Sequence, residues 1–141
     1  MKIRKASIKD VNRLYELMDK TKEVHLTKNI YSKDFVKKIV KNPSTYAIVT
    51  EENKKIVGLL TAAIWKYLGA SYCDMIIIDK NFRNKGVGKM LHSNYINFLK
   101  RNKISYVWGL AKPNNHKMEK ILKKFKFKKR ALCYYYDLEL K

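Results

Sequence analysis

The sequence has few of the residues that build disulfide frameworks or flexible linkers: two cysteines, two prolines and five glycines in 141 residues. Cys73 and Cys133 lie in separate strand-like segments without a C-x-x-C pair, so we expect buried, reduced thiols and no cysteine metal site. The chain also lacks a proline- or glycine-rich stretch that would separate two domains. We therefore predict a single domain over residues 1–141.

Acidic residues are scarce as well, with 12 Asp and Glu against 32 Lys and Arg, and the net charge is +20. Such a charge creates a field that attracts anionic partners. The lysines are spread along the whole chain, however, so compositional bias explains the charge as readily as a binding surface would. Nucleic acid is a conceivable partner that we do not predict.

Long hydrophobic runs are missing, and no apolar stretch approaches the roughly 18 residues that a membrane-spanning helix needs. The first residues, MKIRKASIKDVNRLYELM, alternate charged with apolar side chains and contain no hydrophobic signal core. Hydrophobic residues nevertheless make up 46% of the chain, which is enough for a core. We expect a cytoplasmic protein without a membrane partner.

The periodicity of the apolar residues predicts a mixed α/β domain. A strand at KIRKAS precedes a helix capped by Asp10, and Ser32 caps a second helix that ends at Asn42-Pro43. TYAIVTE and KIVGLLTAAIW flank the polar turn ENK and predict an antiparallel hairpin. The strand SYCDMIIID, a helix to about residue 101 and the strand ISYVWGLA imply a parallel crossover. A last helix starts at Pro113-Asn114-Asn115, and ALCYYYDLEL would close the chain as a strand.

The stretch DKNFRNKGVGKML follows the apolar run MIII and marks an abrupt change from strand to helix. Gly86 and Gly88 allow a sharp turn and a close approach of a ligand to the backbone, and the first N–H groups of the helix point outward. With Arg83, Lys85 and Lys89 beside it, this helix start suits a phosphate or pyrophosphate. The alternative is that the glycines only permit a tight turn, and spacing alone does not separate the two interpretations.

Two familiar phosphate loops do not fit these residues. A Walker A loop places a Ser or Thr after Gly-Lys, whereas Met90 follows Gly88-Lys89. A dinucleotide fingerprint requires a third glycine where Leu91 stands and an acidic residue after the next strand, where Gly109-Leu110-Ala111 offers none.

The remaining pattern, Arg83-x-x-Gly86-x-Gly88 after a hydrophobic strand, resembles the GNAT superfamily of acyl-CoA-dependent N-acyltransferases. The similarity covers nearly the whole chain and includes Ile56-Val57-Gly58-Leu59 and the segment from Asn115 to Phe127, which is similar to the family pattern N-x-x-A-x-x-L-Y-x-K-x-G-F. The resemblance implies a mixed, mostly antiparallel sheet of about six or seven strands flanked by four helices. Its fourth and fifth strands would form a parallel pair that splays apart.

The resemblance also implies acetyl-CoA as co-substrate, with no metal. The pantetheine arm would lie between the splayed strands and contact the main chain of Ile76, Ile77 and Ile78. The pyrophosphate would be held by the loop, namely Arg83, Asn84, Lys85, Gly86, Val87, Gly88 and Lys89. Asn115 matches the family asparagine that contacts the cofactor, although a residue at a helix start is also an ordinary cap, and Asn114 competes with it for that position.

Catalytic residues are implied at two positions. Asp74 stands where family members often carry an acid that takes the amine proton, and strand alternation would place it on one face with Ile76 and Ile78, where apolar neighbours raise its pKa. The alternative is a carboxylate paired with one of the many lysines. The family tyrosine that protonates the thiolate falls at Leu122, and Lys126 replaces a family glycine, so solvent or another tyrosine such as Tyr134 would have to serve.

The function implied is an N-acetyltransferase that moves an acetyl group from acetyl-CoA to a primary amine by direct attack in a ternary complex. The acceptor, a small molecule or a protein, is not identified by the sequence, although the segment from Lys20 to Tyr31 carries Glu23 and His25 on the expected acceptor side. Two alternatives remain: a CoA-binding sensor or partner module without catalysis, and a basic nucleic-acid-binding protein. Monomer and homodimer are both compatible with the sequence.

Overall fold

The computed structural model of the protein describes residues 1–21, 31–134, 136 and 138. They form two compact units, Met1–Leu110 and Ala111–Lys141. In the described part of the chain, the first unit carries a five-stranded sheet and three α-helices, and the second unit carries one α-helix. The expectation of a single domain over residues 1–141 stays a prediction.

The strands of the sheet, β1 to β5, have the bounds Lys2–Lys5, Thr45–Glu52, Lys55–Trp65, Ala70–Ile78 and Tyr106–Gly109. Their order in the sheet is β1-β2-β3-β4-β5. Its first three pairings are antiparallel, and β4 pairs with β5 in parallel. The predicted hairpin is confirmed, because β2 and β3 are joined by Asn53 and Lys54, which both have positive φ (48° and 62°) as a type I′ turn requires.

Four α-helices are present among the described residues: α1 Val11–Asp19, α2 Lys33–Lys41, α3 Val87–Arg101 and α4 His116–Lys124. The cap predicted for α2 is confirmed, since Phe35 N donates to Ser32 Oγ at 3.1 Å. Asp10 precedes α1 as expected but makes no capping bond to it. Its carboxylate instead accepts from Arg4 Nη1 at 2.7 Å, and the Arg4 guanidinium lowers the pKa of Asp10 to about 2. No described helix is long and apolar enough to cross a membrane.

The closing strand expected at ALCYYYDLEL is not found in the described residues. Residues 131–134, 136 and 138 lie outside any strand, so the described sheet has five strands and the expected six or seven is an overcount. A tyrosine-rich segment forms a strand only where a neighbouring strand is available to hydrogen-bond with its backbone. The local sequence does not specify which strand that would be. Cys133 is consequently exposed, contrary to the expectation of a buried thiol, whereas Cys73 is half-buried in β4.

Two buried clusters lie on opposite faces of the sheet. Leu14 of α1 and Val36 of α2 pack with Leu59 on one face, which we call the α1–α2 face. Leu91 of α3 packs with Leu60 on the other, the α3 face. Because side chains alternate along a strand, the neighbours Leu59 and Leu60 supply both cores, and this alternation decides which helices each residue of β3 and β4 meets.

Candidate active site

Strands β4 and β5 separate halfway along β4. Their parallel pairing runs from Ala70 opposite Tyr106 to Cys73 opposite Gly109. β4 then continues to Ile78 with β3 on one side and, among the described residues, no strand on the other. The predicted parallel pair is therefore confirmed, and its pairing stops where β5 ends at Gly109. An unpaired edge presents backbone N–H and C=O groups. The backbone of Asp74–Ile78 can therefore form hydrogen bonds with an extended, amide-containing ligand.

Gly109 lies at the point where the two strands part. A Cβ at this position would lie 3.0 Å from the carbonyl oxygen of Cys73, closer than ordinary contacts allow. The missing side chain thus lets the end of β5 approach the β4 backbone at the narrow end of the gap.

The loop after β4 folds back on the strand that precedes it. Asp79 Oδ1 accepts from Asn81 N at 2.9 Å and starts a 3-10 turn at Lys80–Phe82. Arg83 Nε donates to the carbonyl oxygen of Ile78 at 3.2 Å. This bond ties the Arg83 guanidinium to the end of β4, beside the start of α3.

The N-terminus of α3 is open. Gly86 is its N-cap with φ 82°, and the first turn contains no acidic residue. Among the described residues, no side chain caps the helix and no atom lies within 4 Å of the place a Cβ on Gly86 would occupy. Lys85 Nζ lies 5.1 Å from the centre of the Phe82 ring, and the exposed Lys89 follows in the first turn. An uncapped helix start with cations beside it binds anions.

Gly58 of β3 positions this helix, a role that sequence reasoning missed. A Cβ on Gly58 would lie 2.7 Å from Val87 Cγ1 and 3.2 Å from Leu91 Cδ1. The first turn of α3 therefore sits directly on the β3 backbone. The only signal in the sequence is a glycine inside an apolar strand, which commonly marks a close approach of another element.

Asp74 occupies a β-bulge, and the expectation that it shares a face with Ile76 and Ile78 is wrong. Thr61 pairs with Met75 and Ala62 pairs with Cys73, so Asp74 has no partner opposite it in β3. Ile76 and Ile78 pack in the cluster on the α3 face, as does Cys73. A bulge inserts one residue and shifts the alternation, which places Asp74 on the α1–α2 face.

The contacts of Asp74 agree with this position. Thr61 Oγ1 donates to Asp74 Oδ2 at 3.4 Å, and Thr61 lies two residues after Leu59 of the α1–α2 core. Asp74 is exposed, but surrounding protein atoms displace part of the water from its carboxylate and raise its pKa, while the Thr61 hydroxyl opposes the rise. The predicted direction of the pKa shift is confirmed, although the neighbours differ from those expected. Burial and the charge of Asp74 raise the pKa of Cys73 to about 12, so this thiol stays protonated.

The remaining predicted residues belong to the second unit. Asn115 is the N-cap of α4, where its Oδ1 accepts from Met118 N at 3.1 Å, so the capping alternative is observed for Asn115 and not for Asn114. Tyr134 is 85% exposed and lies outside any strand. Leu122 of α4 is half-buried.

Lys126 adopts the conformation that the family glycine would favour. Its φ is 63°, and its N–H donates to the carbonyl of Lys123 while Phe127 N donates to that of Leu122. These two bonds form a Schellman motif, which ends α4 in a left-handed residue. Lys126 thus adopts the left-handed backbone turn although it replaces the family glycine.

The comparisons with known proteins fit this geometry. A family model described as Acetyltransferase (GNAT) family matches residues 11–127. The chain belongs to this family. Among solved structures, an aminoglycoside acetyltransferase from an uncultured soil metagenomic sample, in complex with trehalose, is similar with a TM-score of 0.80 and 21% identity, over 98% of this chain and 96% of that one.

Two further structures have the same fold. The ribosomal-protein-S18-alanine N-acetyltransferase from Escherichia coli has a TM-score of 0.79 at 14% identity, over 92% of this chain and 79% of that one. An aminoglycoside N-acetyltransferase in complex with CoA has a TM-score of 0.76 at 14% identity, over 99% of this chain and 100% of that one. At these identities the likeness establishes the GNAT fold.

Proposed function

We propose that this protein transfers the acetyl group of acetyl-CoA to a primary amine by direct attack in a ternary complex. The observation that carries the proposal is continuity: the unpaired edge of β4 leads through a short loop into the open, cation-flanked start of α3. An amide-containing arm that ends in a pyrophosphate requires these two features in this order.

The residues present suit acetyl-CoA as a substrate. Backbone groups of Ile76, Ile77 and Ile78 would pair with the amides of the pantetheine arm. The first N–H groups of α3, from Val87 to Lys89, would bind the pyrophosphate at the turn made by Asn84 and Gly86, whose φ values are 64° and 82°. Arg83, Lys85 and Lys89 would add positive charge. A cofactor contact by Asn115 stays a prediction that rests on the family resemblance.

The acceptor nitrogen attacks the thioester carbonyl carbon, so a C–N bond forms and the C–S bond breaks. Asp74 accepts the proton that the amine loses, and its raised pKa brings it closer to the operating pH of a general base. The CoA thiolate takes a proton from water or from a tyrosine such as Tyr134, since Leu122 has none to give. Holding both reactants in line accounts for much of the barrier reduction, about 7 to 11 kcal/mol in favourable systems.

Calorimetry with CoA and acetyl-CoA tests the binding half of the proposal, and release of free thiol in a panel of primary amines tests the reaction. We expect acetyl-CoA to bind in the micromolar range or tighter and at least one amine to release thiol. If neither CoA nor its ester binds, the site assignment is wrong.

The half-buried Leu122 at the donor position favours one alternative, a CoA-binding sensor without catalysis. Binding of acetyl-CoA without thiol release from any amine would establish that function. For the proton donor, Tyr134→Phe and Tyr136→Phe form a matched pair, because these side chains are 85% and 86% exposed. A fall in kcat in the first variant alone would identify Tyr134, and unchanged rates in both variants would exclude these two tyrosines as the donor.

The acceptor itself is proposed only as a primary amine. The similar proteins act on aminoglycosides or on a ribosomal-protein alanine, by their own names, and both carry amino groups. Glu23 and His25, which the sequence placed on the acceptor side, lie outside the described residues. The cytoplasmic location stays a prediction.

A further inference from the structure

Four aromatic side chains form a contiguous cluster around the paired half of β4. Trp108 of β5 is at its centre: its ring centre lies 5.2 Å from that of Trp65, 5.8 Å from that of Tyr72 and 5.6 Å from that of Tyr106. Trp65 and Trp108 are stacked with an interplanar angle of 25°. We call these four residues the aromatic platform.

The aromatic platform lies on the face of the sheet opposite α3. In each of its three strands, the residue next to a ring faces α3: Ile64 and Val107 belong to that buried cluster, and Ser71 Oγ lies 2.6 Å from Tyr95 Oη. Side chains alternate along a strand, so the rings point the other way. The α1–α2 core, which ends at Met75 along β4, does not include them, and Tyr106 is 62% exposed.

Asp74 lies on the same face, two residues after Tyr72. The bulge is what places it there, as its contact with Thr61 shows. Two residues along a strand span roughly 7 Å, which is about the length of a flat ring joined to an amine by a short linker. The carboxylate thus lies on the same face of the sheet as the rings, one residue beyond the last pair of β4 and β5, Cys73 and Gly109.

We propose that the aromatic platform binds the acceptor, and that the acceptor is a primary amine with one positive charge and an aromatic ring. The inference rests on the proposed acetyl transfer. Its ring would stack on the platform, and its amino group would lie at Asp74. Ring stacking is worth about a two- to tenfold gain in affinity over an aliphatic group of similar area.

The charge of the chain separates this class from polycationic amines. A net charge of +20 repels an acceptor that carries several ammonium groups, and a single carboxylate in the bulge matches a single ammonium. A monoamine therefore suffers the smallest electrostatic penalty on approach.

Tryptophan fluorescence tests the platform directly, because both tryptophans of the chain, Trp65 and Trp108, belong to it. Titration with 2-phenylethylamine in the presence of CoA should change the emission saturably, whereas hexylamine should require about two- to tenfold higher concentration. The polycation kanamycin should produce no saturable change. Stronger binding of hexylamine or kanamycin than of 2-phenylethylamine would overturn the proposal.

Steady-state thiol release gives the second readout. Trp108→Leu should raise KM for 2-phenylethylamine about tenfold with little change in kcat, remove the preference over hexylamine and leave CoA affinity unchanged. Tyr106→Leu, at the exposed margin, should act in the same direction and serves if the first variant fails to fold. Tyr67→Leu is the matched control, since Tyr67 is 84% exposed in the adjacent turn outside the platform.

The outcomes distinguish failure of the acceptor-binding inference from failure of the proposed acetyl transfer. If CoA binds and amines turn over but both platform variants keep the selectivity of the parent, the rings are structural and the inference is wrong. If 2-phenylethylamine binds at the tryptophans and no amine releases thiol, acetyl transfer is wrong while the binding surface stands.

Discussion

The two halves of β4 belong to one continuous strand but have different surroundings. From Ala70 to Cys73 the strand is paired on both sides, and the ring of Tyr72 lies 5.8 Å from that of Trp108 in β5. From Asp74 to Ile78 it pairs only with β3 among the described residues, and it leads into an open helix start. The bulge at Asp74 marks the change from one half to the other.

The difference shows how one strand can serve two partners. The paired half has its backbone hydrogen-bonded to β3 and β5 and presents side chains, which suits recognition of an acceptor. The unpaired half presents backbone, which suits an extended arm of repeating amides. The reacting atoms would meet where the two halves join, beside the Asp74 carboxylate.

The largest expected effect comes from closing the helix start at the end of the unpaired half. Gly86→Val with Gly88→Val should weaken CoA binding on the order of 100-fold, because branched side chains strain the φ of 82° and block close approach of an anion to the N–H groups. Calorimetry measures the change. Gly69→Val is the control, since Gly69 has a similar φ of 61° in the turn before β4 and should cost stability without loss of CoA. Unchanged CoA affinity in the double variant would refute the site.

The second-largest effect is expected at Asp74, where the two halves of β4 join. Asp74→Asn should lower kcat/KM roughly 100-fold or more, because the variant has no carboxylate to accept the amine proton. In the parent protein, activity should fall as the pH drops through the raised pKa of Asp74, and the variant should lose this acid limb. Asp79→Asn is the control, because an amide oxygen can still accept from Asn81 N. An acid limb that persists in Asp74→Asn would assign the titration to another group.

A smaller effect is expected from the contact that positions α3. Gly58→Ala should destabilise the protein by about 1–3 kcal/mol and weaken CoA binding several-fold, since the new methyl group overlaps Val87 Cγ1. Val87→Ala in the same chain removes that atom and should restore CoA affinity. Thermal unfolding and calorimetry measure both changes, and full affinity in the single variant would show that the first turn of α3 adjusts freely.

The smallest effect is a shift in pH dependence. Thr61→Val removes the hydroxyl that donates to Asp74, so the pKa of Asp74 should rise further and the acid limb of kcat/KM should move to higher pH, with the plateau unchanged. Thr50→Val is the matched control, because the buried Thr50 Oγ1 has no hydrogen-bond partner among the described residues. A shift in the opposite direction would show that the Thr61 hydroxyl does not stabilise the ionised carboxylate.

Most of the fold follows from short segments of sequence. Ser32 caps α2 and the ENK turn joins β2 to β3, as predicted, because these features depend on residues within a few positions of one another. The same reasoning from local sequence wrongly predicted the closing strand at ALCYYYDLEL. Its tyrosines favour a strand, but a strand needs a distant partner that local sequence does not name.

The candidate site likewise combines features that local sequence predicts with features that depend on the tertiary structure. The sequence by itself showed that glycines and cations lie close together from Arg83 to Lys89, a pattern typical of an anion site, and the resemblance to the GNAT family predicted that interpretation over a simple tight turn. Only the tertiary structure decided that β5 ends at Gly109, that a bulge turns Asp74 toward the α1–α2 face and that four rings meet around Trp108. These features depend on strand register, which is set by contacts between residues far apart in the chain, and a shift of one residue reverses the face that each side chain occupies.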